Sequence, residues 1–407
     1  MSYAIIGGLD VGNGYTKGVF GDIDGNIISK VDMPSSVAYV MMENGIKSTG
    51  EDIKYIIEDI YNKADISFDS SAIKDNKRRL FGSRGVRSGG VLEEFDVYSH
   101  QSKATQDLSP VIVIGTVACC ALQNYYKEHN DLPDDIINVT ANIGIALPIR
   151  EYKKFREYYA KLYMDEKQHI ATFHNFDKLI RVCVEFSDVQ VLAEGASAQF
   201  AINDKGEAFV NALLADCRKY IDIDDAIQAA DVISASTTVG IDIGEGTINF
   251  PVYQNGQFNN DMSFTIDKGY GTVLLSTIDR LRDDGFPFET RKELTDYLTR
   301  QPTNITKRKY NKVMQVLDEE IQNFILSVSL EFSKLLNKVG AYVEVVYVYG
   351  GGATPLRDVL YPKLCELFKE YQIDVPILYL DSEYSRFLNR EGLYLIEKNV
   401  VQSKKVI

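Results

Sequence analysis

The sequence has no cysteine or histidine spacing of the kind that binds metal. Its five cysteines (Cys119, Cys120, Cys183, Cys217, Cys365) form no CxxC pair, and its four histidines (His100, His129, His169, His174) show neither HxxxH nor HExxH. A zinc site needs clustered ligands and a secreted disulfide framework an even cysteine count, so neither is expected and a reducing cytoplasm suits the pattern. Positive charge is also scarce: 44 Lys and Arg stand against 58 Asp and Glu, a net charge of −14. Such a chain repels nucleic-acid phosphates, so direct DNA binding is not expected without a local patch or a bridging protein. The basic clusters present, Lys77-Arg78-Arg79 and Lys307-Arg308-Lys309, read as solvated faces, with contact to a partner or to another copy as the other reading. The longest apolar run, VIVIGTVACCAL at 111–122, reads as too short to span a bilayer, and no signal peptide precedes the strand-like start. Neither GxxxxGK[ST] nor GxGxxG occurs, which excludes the P-loop and dinucleotide readings. The expectation is a soluble, cytoplasmic, acidic protein.

What is present is a repeat. IIGGLDVGNGYTKGVF at 5–20 and TTVGIDIGEGTINFPVY at 237–253 superpose at an offset of 232 residues, placing Gly8, Asp10, Gly12 and Gly14 on Gly240, Asp242, Gly244 and Gly246. The chain of 407 residues, 45% hydrophobic, has room for two domains or three. After the first motif come further strands, a more polar stretch at 41–100 that reads as an inserted subdomain, and helical spacing over 111–129. A buried strand INVTANIGIALPI, a charged helix at 150–169, the strands of LIRVCVEFSDVQVL and a helix beginning in AEGASAQFAI follow. Residues 205–235 read as a connector, and from 239 the pattern restarts. A second inserted helical region covers about 267–312, and a helix at 316–339 puts Leu317, Ile321, Phe324, Ile325, Val328, Phe332, Leu335, Leu336 and Val339 on one face. The order describes a duplicated α/β unit, with domains expected at 1–190 (insertion about 36–100) and 191–407 (insertion about 267–312).

A strand ending in Asp-x-Gly-x-Gly has a definite use. The glycines bring backbone N–H groups against phosphate oxygens, and the strand-end aspartate can hold hydrated magnesium. Two such turns can clamp a triphosphate from both sides. Lys17, three residues past Gly14, stands where an ammonium could reach the β- or γ-phosphate, or is an exposed strand lysine. VYVYGGGATPL at 346–356 sets three glycines between a buried strand and a helix. That is a flat surface for adenine and ribose, or simply a tight turn.

LDVGNGYTKGVF resembles the first phosphate loop of the actin superfamily, GIDIGEGTINFPVY the second and YGGGAT the adenosine motif. VLAEGASAQF at 191–200 and SEYSRFLNREGLYL at 382–395 resemble its connecting helices. GIALPIREYKKF and AEGASA are most similar to ParM-type bacterial actins. The resemblance implies an α/β fold of duplicated actin/RNase H-like domains around a nucleotide cleft, each with an inserted subdomain. It implies nucleotide contacts from Gly12, Asn13, Gly14, Tyr15, Thr16, Lys17, Gly244, Glu245, Gly246, Thr247, Gly350, Gly351, Gly352 and Ala353. Asp10 and Asp242 become the magnesium aspartates, and Glu194, at the start of the first connecting helix, the residue that activates water, with Gln190 as runner-up. A helix N-terminal acid is the plain alternative for Glu194. Glu245 departs from the glycine or hydroxyl residue common in relatives, leaving open a role at metal, at water or pointing outward. The function implied is an ATPase (GTP being possible) that polymerises with ATP and magnesium, disassembles after hydrolysis, and segregates plasmid DNA through a ParR-like adaptor. An MreB- or FtsA-like scaffold is the alternative, although the termini are poor membrane helices. A small-molecule kinase is another, and no substrate-base motif for one is found.

Overall fold

In the computed structural model, which describes residues 1–40, 53–96, 101–165, 168–380 and 382–405, the β-branched opening segment forms β1 (Ser2–Val11). It turns at the glycines into β2 (Tyr15–Asp22) and, through a turn fixed by the Asp22 carboxylate, into β3 (Ile27–Pro34). Asp22 Oδ1 accepts from the N–H groups of Asp24 and Asn26, both at 2.9 Å, and Gly25 supplies the positive φ of 91°.

The chain divides into two compact units, Met1–Ala201 with Phe387–Ile407, and Ile202–Arg386. The divide expected at 190/191 therefore falls later, because β10 (Ile180–Ala193) runs on as a strand of the first unit, and the last helix returns to that unit. Within the first unit, β1 pairs antiparallel with β2 and parallel with β8 (Ile137–Leu147), and β8 pairs parallel with β10. The sheet continues through β9 (His169–Phe173), β5 (Asp65–Asp69), β6 (Arg79–Phe81), β4 (Ser36–Tyr39) and β7 (Leu92–Glu94). The last four lie in the segment read as an insertion at about 36–100, of which 41–52 and 97–100 lie outside the described residues.

The second unit repeats the scheme. β11 (Thr238–Ile243) pairs antiparallel with β12 (Ile248–Phe250) and β13 (Val252–Gln254), two halves of one strand split at Pro251, which has no N–H to give the ladder. β14 (Gln257–Phe258) and β15 (Phe264–Ile266) flank them, and β16 (Val345–Tyr349) and β17 (Ile377–Tyr379) follow in parallel on the other side. The helix read at 316–339 runs from Lys307 to Val339, and all nine residues of its expected apolar face are buried.

The apolar run 111–122 lies inside a helix, Leu108–His129, which Asn130 ends in the left-handed conformation. At 22 residues it is long and apolar enough to cross a membrane, so the expectation that it is too short is corrected. It is instead the core of the first unit: every residue from Val111 to Leu122 is buried, and Gly115 admits the ring of Phe81 where a Cβ would stand 2.5 Å from it. Of the cluster Lys77-Arg78-Arg79, Lys77 is exposed as expected, but Arg78 and Arg79 turn inward. Arg78 binds both oxygens of buried Asp65 (2.6 and 2.7 Å), and fully buried Arg79 donates to the carbonyls of Asp75 and Lys77. Lys307, Arg308 and Lys309 are exposed, as expected.

The last helix, Leu388–Lys405, lies on the first sheet because glycines leave room for it. A Cβ on Gly8 of β1 would fall on the backbone of Tyr394 and Arg390, and one on Gly144 of β8 would stand 2.5 Å from the carbonyl of Leu393. Glu397, on this helix, is fully buried with both carboxylate oxygens unpartnered. Burial pushes its carboxyl up to about 8; the Asp188 charge reinforces the shift and Lys404 opposes it. The folded chain then holds a proton that the unfolded chain releases near the ordinary glutamate value. The stabilisation is complete below that value and is lost as pH rises to about 8. Urea midpoints should fall across this window by up to about 1.4 kcal/mol of stability per pH unit, and Glu397→Gln should flatten the slope. Equal slopes for the two proteins would refute the buried proton.

Candidate functional site

The first hairpin places Asp10 opposite Lys17 and Val11 opposite Thr16. The N–H of Gly12 donates to the carbonyl of Tyr15 at 3.0 Å, and a Cβ on Gly12 would stand 2.8 Å from that oxygen, so the turn closes only around glycine. Its base is anchored: the Ser35 N–H donates to the Gly14 carbonyl at 3.0 Å, and the hydroxyls of buried Thr16 and Ser35 lie 2.8 Å apart. Burial pushes the Asp10 carboxyl up; Lys17 pulls it back, Glu194 reinforces the rise, and Lys103 and Arg390 oppose it. Five charged groups from four separate stretches of the first unit thus share one field.

Glu194 follows the last residue of β10 and occupies a turn, not the start of a helix; the helix begins at Ala198. The left-handed Gly195 (φ 81°) separates the two. The Glu194 N–H donates to the carbonyl of Leu147 at 2.7 Å, tying the ends of β8 and β10 together. Its Oε1 accepts from Lys103 Nζ at 2.9 Å, and both side chains are inside, 12% and 4% exposed. Burial works against the Lys103 charge, yet Glu194 and then Asp10 outweigh it and hold the ammonium above its ordinary value. Gln190 is within β10 as expected, but four residues back, roughly 13 Å along the strand. Its amide donates to Asp188, which pairs with Lys404, so it is engaged at a different place.

The second hairpin repeats the closing bond of the first. Asp242, 5% exposed, is next to last in β11, and the Gly244 N–H donates to the Thr247 carbonyl at 2.9 Å, the counterpart of Gly12 and Tyr15. Two further glycine turns rest on this loop. Tyr270 and Gly271 donate their N–H groups to the carbonyls of Gly244 (3.0 Å) and Glu245 (2.8 Å). The Gly352 N–H donates to the Ile243 carbonyl at 2.8 Å, and Gly350, at φ 96°, leaves no room for a Cβ beside Asp242. A Cβ on Gly351 would meet the Arg386 Cβ at 3.9 Å, an ordinary contact, so crowding does not require one glycine of the three. The Ala353 N–H donates to the Gly350 carbonyl at 3.1 Å, closing the turn. Glu245 points to Arg291, their charges 2.8 Å apart, at the first turn of the helix Arg291–Leu298.

The first unit therefore gathers Asp10, Lys17 and Glu194, with the Gly12–Tyr15 turn, and leaves Gln190 aside; the second gathers Asp242, Glu245 and the 350–353 turn. Sequence reasoning missed Lys103, Arg390, Arg291 and the Gly269–Gly271 turn. Only the last carried a signal, the glycine pair in KGYGT at 268–272. Among the described residues no three or more His, Cys, Asp or Glu side chains lie close enough to hold a metal by themselves.

Residues 8–196 match the family model of the N-terminal domain of actin-like proteins, and residues 240–361 that of the C-terminal part of archaeal MreB-like actin homologues. No curated protein matches the chain. Among solved structures, Bacillus thuringiensis ParM with ATP is 16% identical with a TM-score of 0.60, over 98% of this chain and 100% of that one. The apo psk41 ParM protein is 18% identical with a TM-score of 0.55, over 98% and 99%. The archaeal actin homologue Ta0583 is 14% identical with a TM-score of 0.58, over 99% of each. These likenesses are of fold.

Proposed function

Since both units match actin-type family models and carry that fold, the chain belongs to the actin superfamily, and we propose that it is a nucleotide-dependent, filament-forming ATPase. The observation that carries this reading is the pair of hairpins, each with a strand-end aspartate and each closed by the same backbone bond. In it, the Gly12–Lys17 loop and the Gly244–Thr247 loop each offer N–H groups to nucleotide phosphates, and the Gly350–Ala353 turn receives the adenosine. That Bacillus thuringiensis ParM has been solved with ATP, ADP and AMPPNP supports ATP as the ligand. Asp10 and Asp242 suit magnesium, which takes one or two carboxylates and completes its shell with water and phosphate, and no richer protein cluster competes among the described residues. Bound there, the ion would neutralise charge developing on the phosphate oxygens.

Glu194 orients the attacking water. As the water oxygen bonds to the γ-phosphorus, the bond to the bridging oxygen breaks and ADP leaves with that electron pair; the water proton passes through the carboxylate to the released phosphate. Assembly follows from binding the triphosphate and disassembly from losing its γ-phosphate. With a net charge of −14, the chain would reach plasmid DNA through a ParR-like adaptor. Glu194→Ala should still pellet with Mg-ATP yet release phosphate on the order of 10²-fold more slowly, leaving persistent filaments. Phosphate release at the wild-type rate would remove Glu194 from the mechanism; failure to polymerise would make it structural.

A further inference from the structure

A lysine ammonium that is almost wholly buried is rare unless it is paired, because desolvation penalises the charge. Lys103 is 3% exposed, and the residues around it direct its side chain inward. It opens a short 3-10 turn, Lys103–Thr105, whose entry is fixed from outside. Glu151, in the first turn of the helix Ile149–Met164, accepts with one oxygen from both the Ser102 hydroxyl (2.6 Å) and the Lys103 N–H (2.8 Å). The Ser102 hydroxyl in turn accepts from the Ala104 N–H at 3.2 Å. With its backbone held, Lys103 passes 5.5 Å from the ring of Phe95 and ends on Glu194 Oε1, in the field of Asp10.

Resting on the reading of Glu194 given above, we propose that Lys103 is a positioning residue for the water-orienting carboxylate. A glutamate has three rotatable bonds, which the backbone bond to Leu147 does not set. The ion pair fixes them: once Oε1 is tied to Lys103, the plane of the carboxylate and the direction of its second oxygen are set. Orientation is what the ion pair supplies, since phosphoryl transfer depends chiefly on placing the nucleophile and stabilising charge.

The test is a double-mutant cycle on the full chain with Mg-ATP, reading phosphate release, AMPPNP affinity and thermal stability together. Lys103→Met should lower the turnover rate about ten- to a hundredfold, a loss typical of a misaligned reacting group, with AMPPNP affinity within about threefold of wild type. Lys103→Arg, which keeps charge and donors, should recover most of the rate. In a Glu194→Gln background, Lys103→Met should cost nothing further, because the lysine acts only through that carboxylate. A merely structural lysine would instead lower stability and rate alike in both backgrounds, and multiplicative losses would overturn the proposal. If Lys103→Met does not fold, Lys103→Gln, which still donates one hydrogen bond, runs the same cycle. A slow Glu194→Gln beside a fast Lys103→Met refutes the lysine's role alone, whereas a fast Glu194→Gln refutes the reading beneath it as well.

Discussion

Asp10→Ala and Asp242→Ala should each abolish Mg-nucleotide hydrolysis and nucleotide-dependent pelleting, with rate losses on the order of 10³-fold or more, while the chains still unfold cooperatively. The two halves of this expectation have separate physical grounds. Burial already holds the Asp10 carboxyl above its ordinary value, so its ionised form is carried at some expense to the fold and alanine removes that strain. The hairpin itself is closed by backbone bonds from Gly12 and Gly244, which need neither carboxylate. What is lost is a carboxylate charge proposed to meet the metal. Phosphate release, pelleting and circular-dichroism melts on the same samples separate the outcomes. Normal turnover in both variants would sink the assignment, and a cooperative fold lost in both would make the aspartates structural.

Gly392→Ala should destabilise the first unit by about 3 kcal/mol or more. In an exposed helix interior the same change stabilises by about 1 kcal/mol, so the clash must decide the sign. It does, because the added Cβ would fall on the carbonyl of Ser197, within the turn that leads from Glu194 to its helix. Backbone cannot step aside as the end of a flexible side chain can. The helix would have to lift, and buried Leu393 and Tyr394 would lose their seats on the sheet. Gly351→Ala, whose added Cβ would make only an ordinary 3.9 Å contact with Arg386, is the control for folding. Equal urea midpoints for wild type and Gly392→Ala would mean that the helix does not dock as described.

The parts of the fold visible in the sequence were those with local signals. Paired Asp-x-Gly-x-Gly turns, the heptad-like face of the long helix and the triple glycine each arise within a few residues, and the structure has each where the spacing put it. The start of the helix after β10 was misjudged because Ala193–Ala198 has helix-favouring residues, while a left-handed Gly195 and the pairing of β10 with β8 extend the strand instead. The interior salt bridges of Arg78 and Arg79 could not be told from surface charge, since Asp65 and Glu93 lie in other strands. Lys103 was invisible for the same reason: its meaning depends on Glu194, 91 residues away. Contacts made by sequence-distant charges leave no periodicity to read.

The return of the Leu388–Lys405 helix to the first sheet gives the chain a history as well as a shape. A ribosome delivers β1 at the outset, yet the helix whose Leu393 and Tyr394 lie over Gly144 and Gly8 emerges only after all of Ile202–Arg386. At about 5–20 residues per second, that wait is on the order of 10–40 s. Through it, Ile6 and Val19, which the finished protein seals beneath Tyr394 and Val401, stay open to the cell. The nascent first unit is therefore an incomplete body with apolar surface uncovered until its last helix arrives.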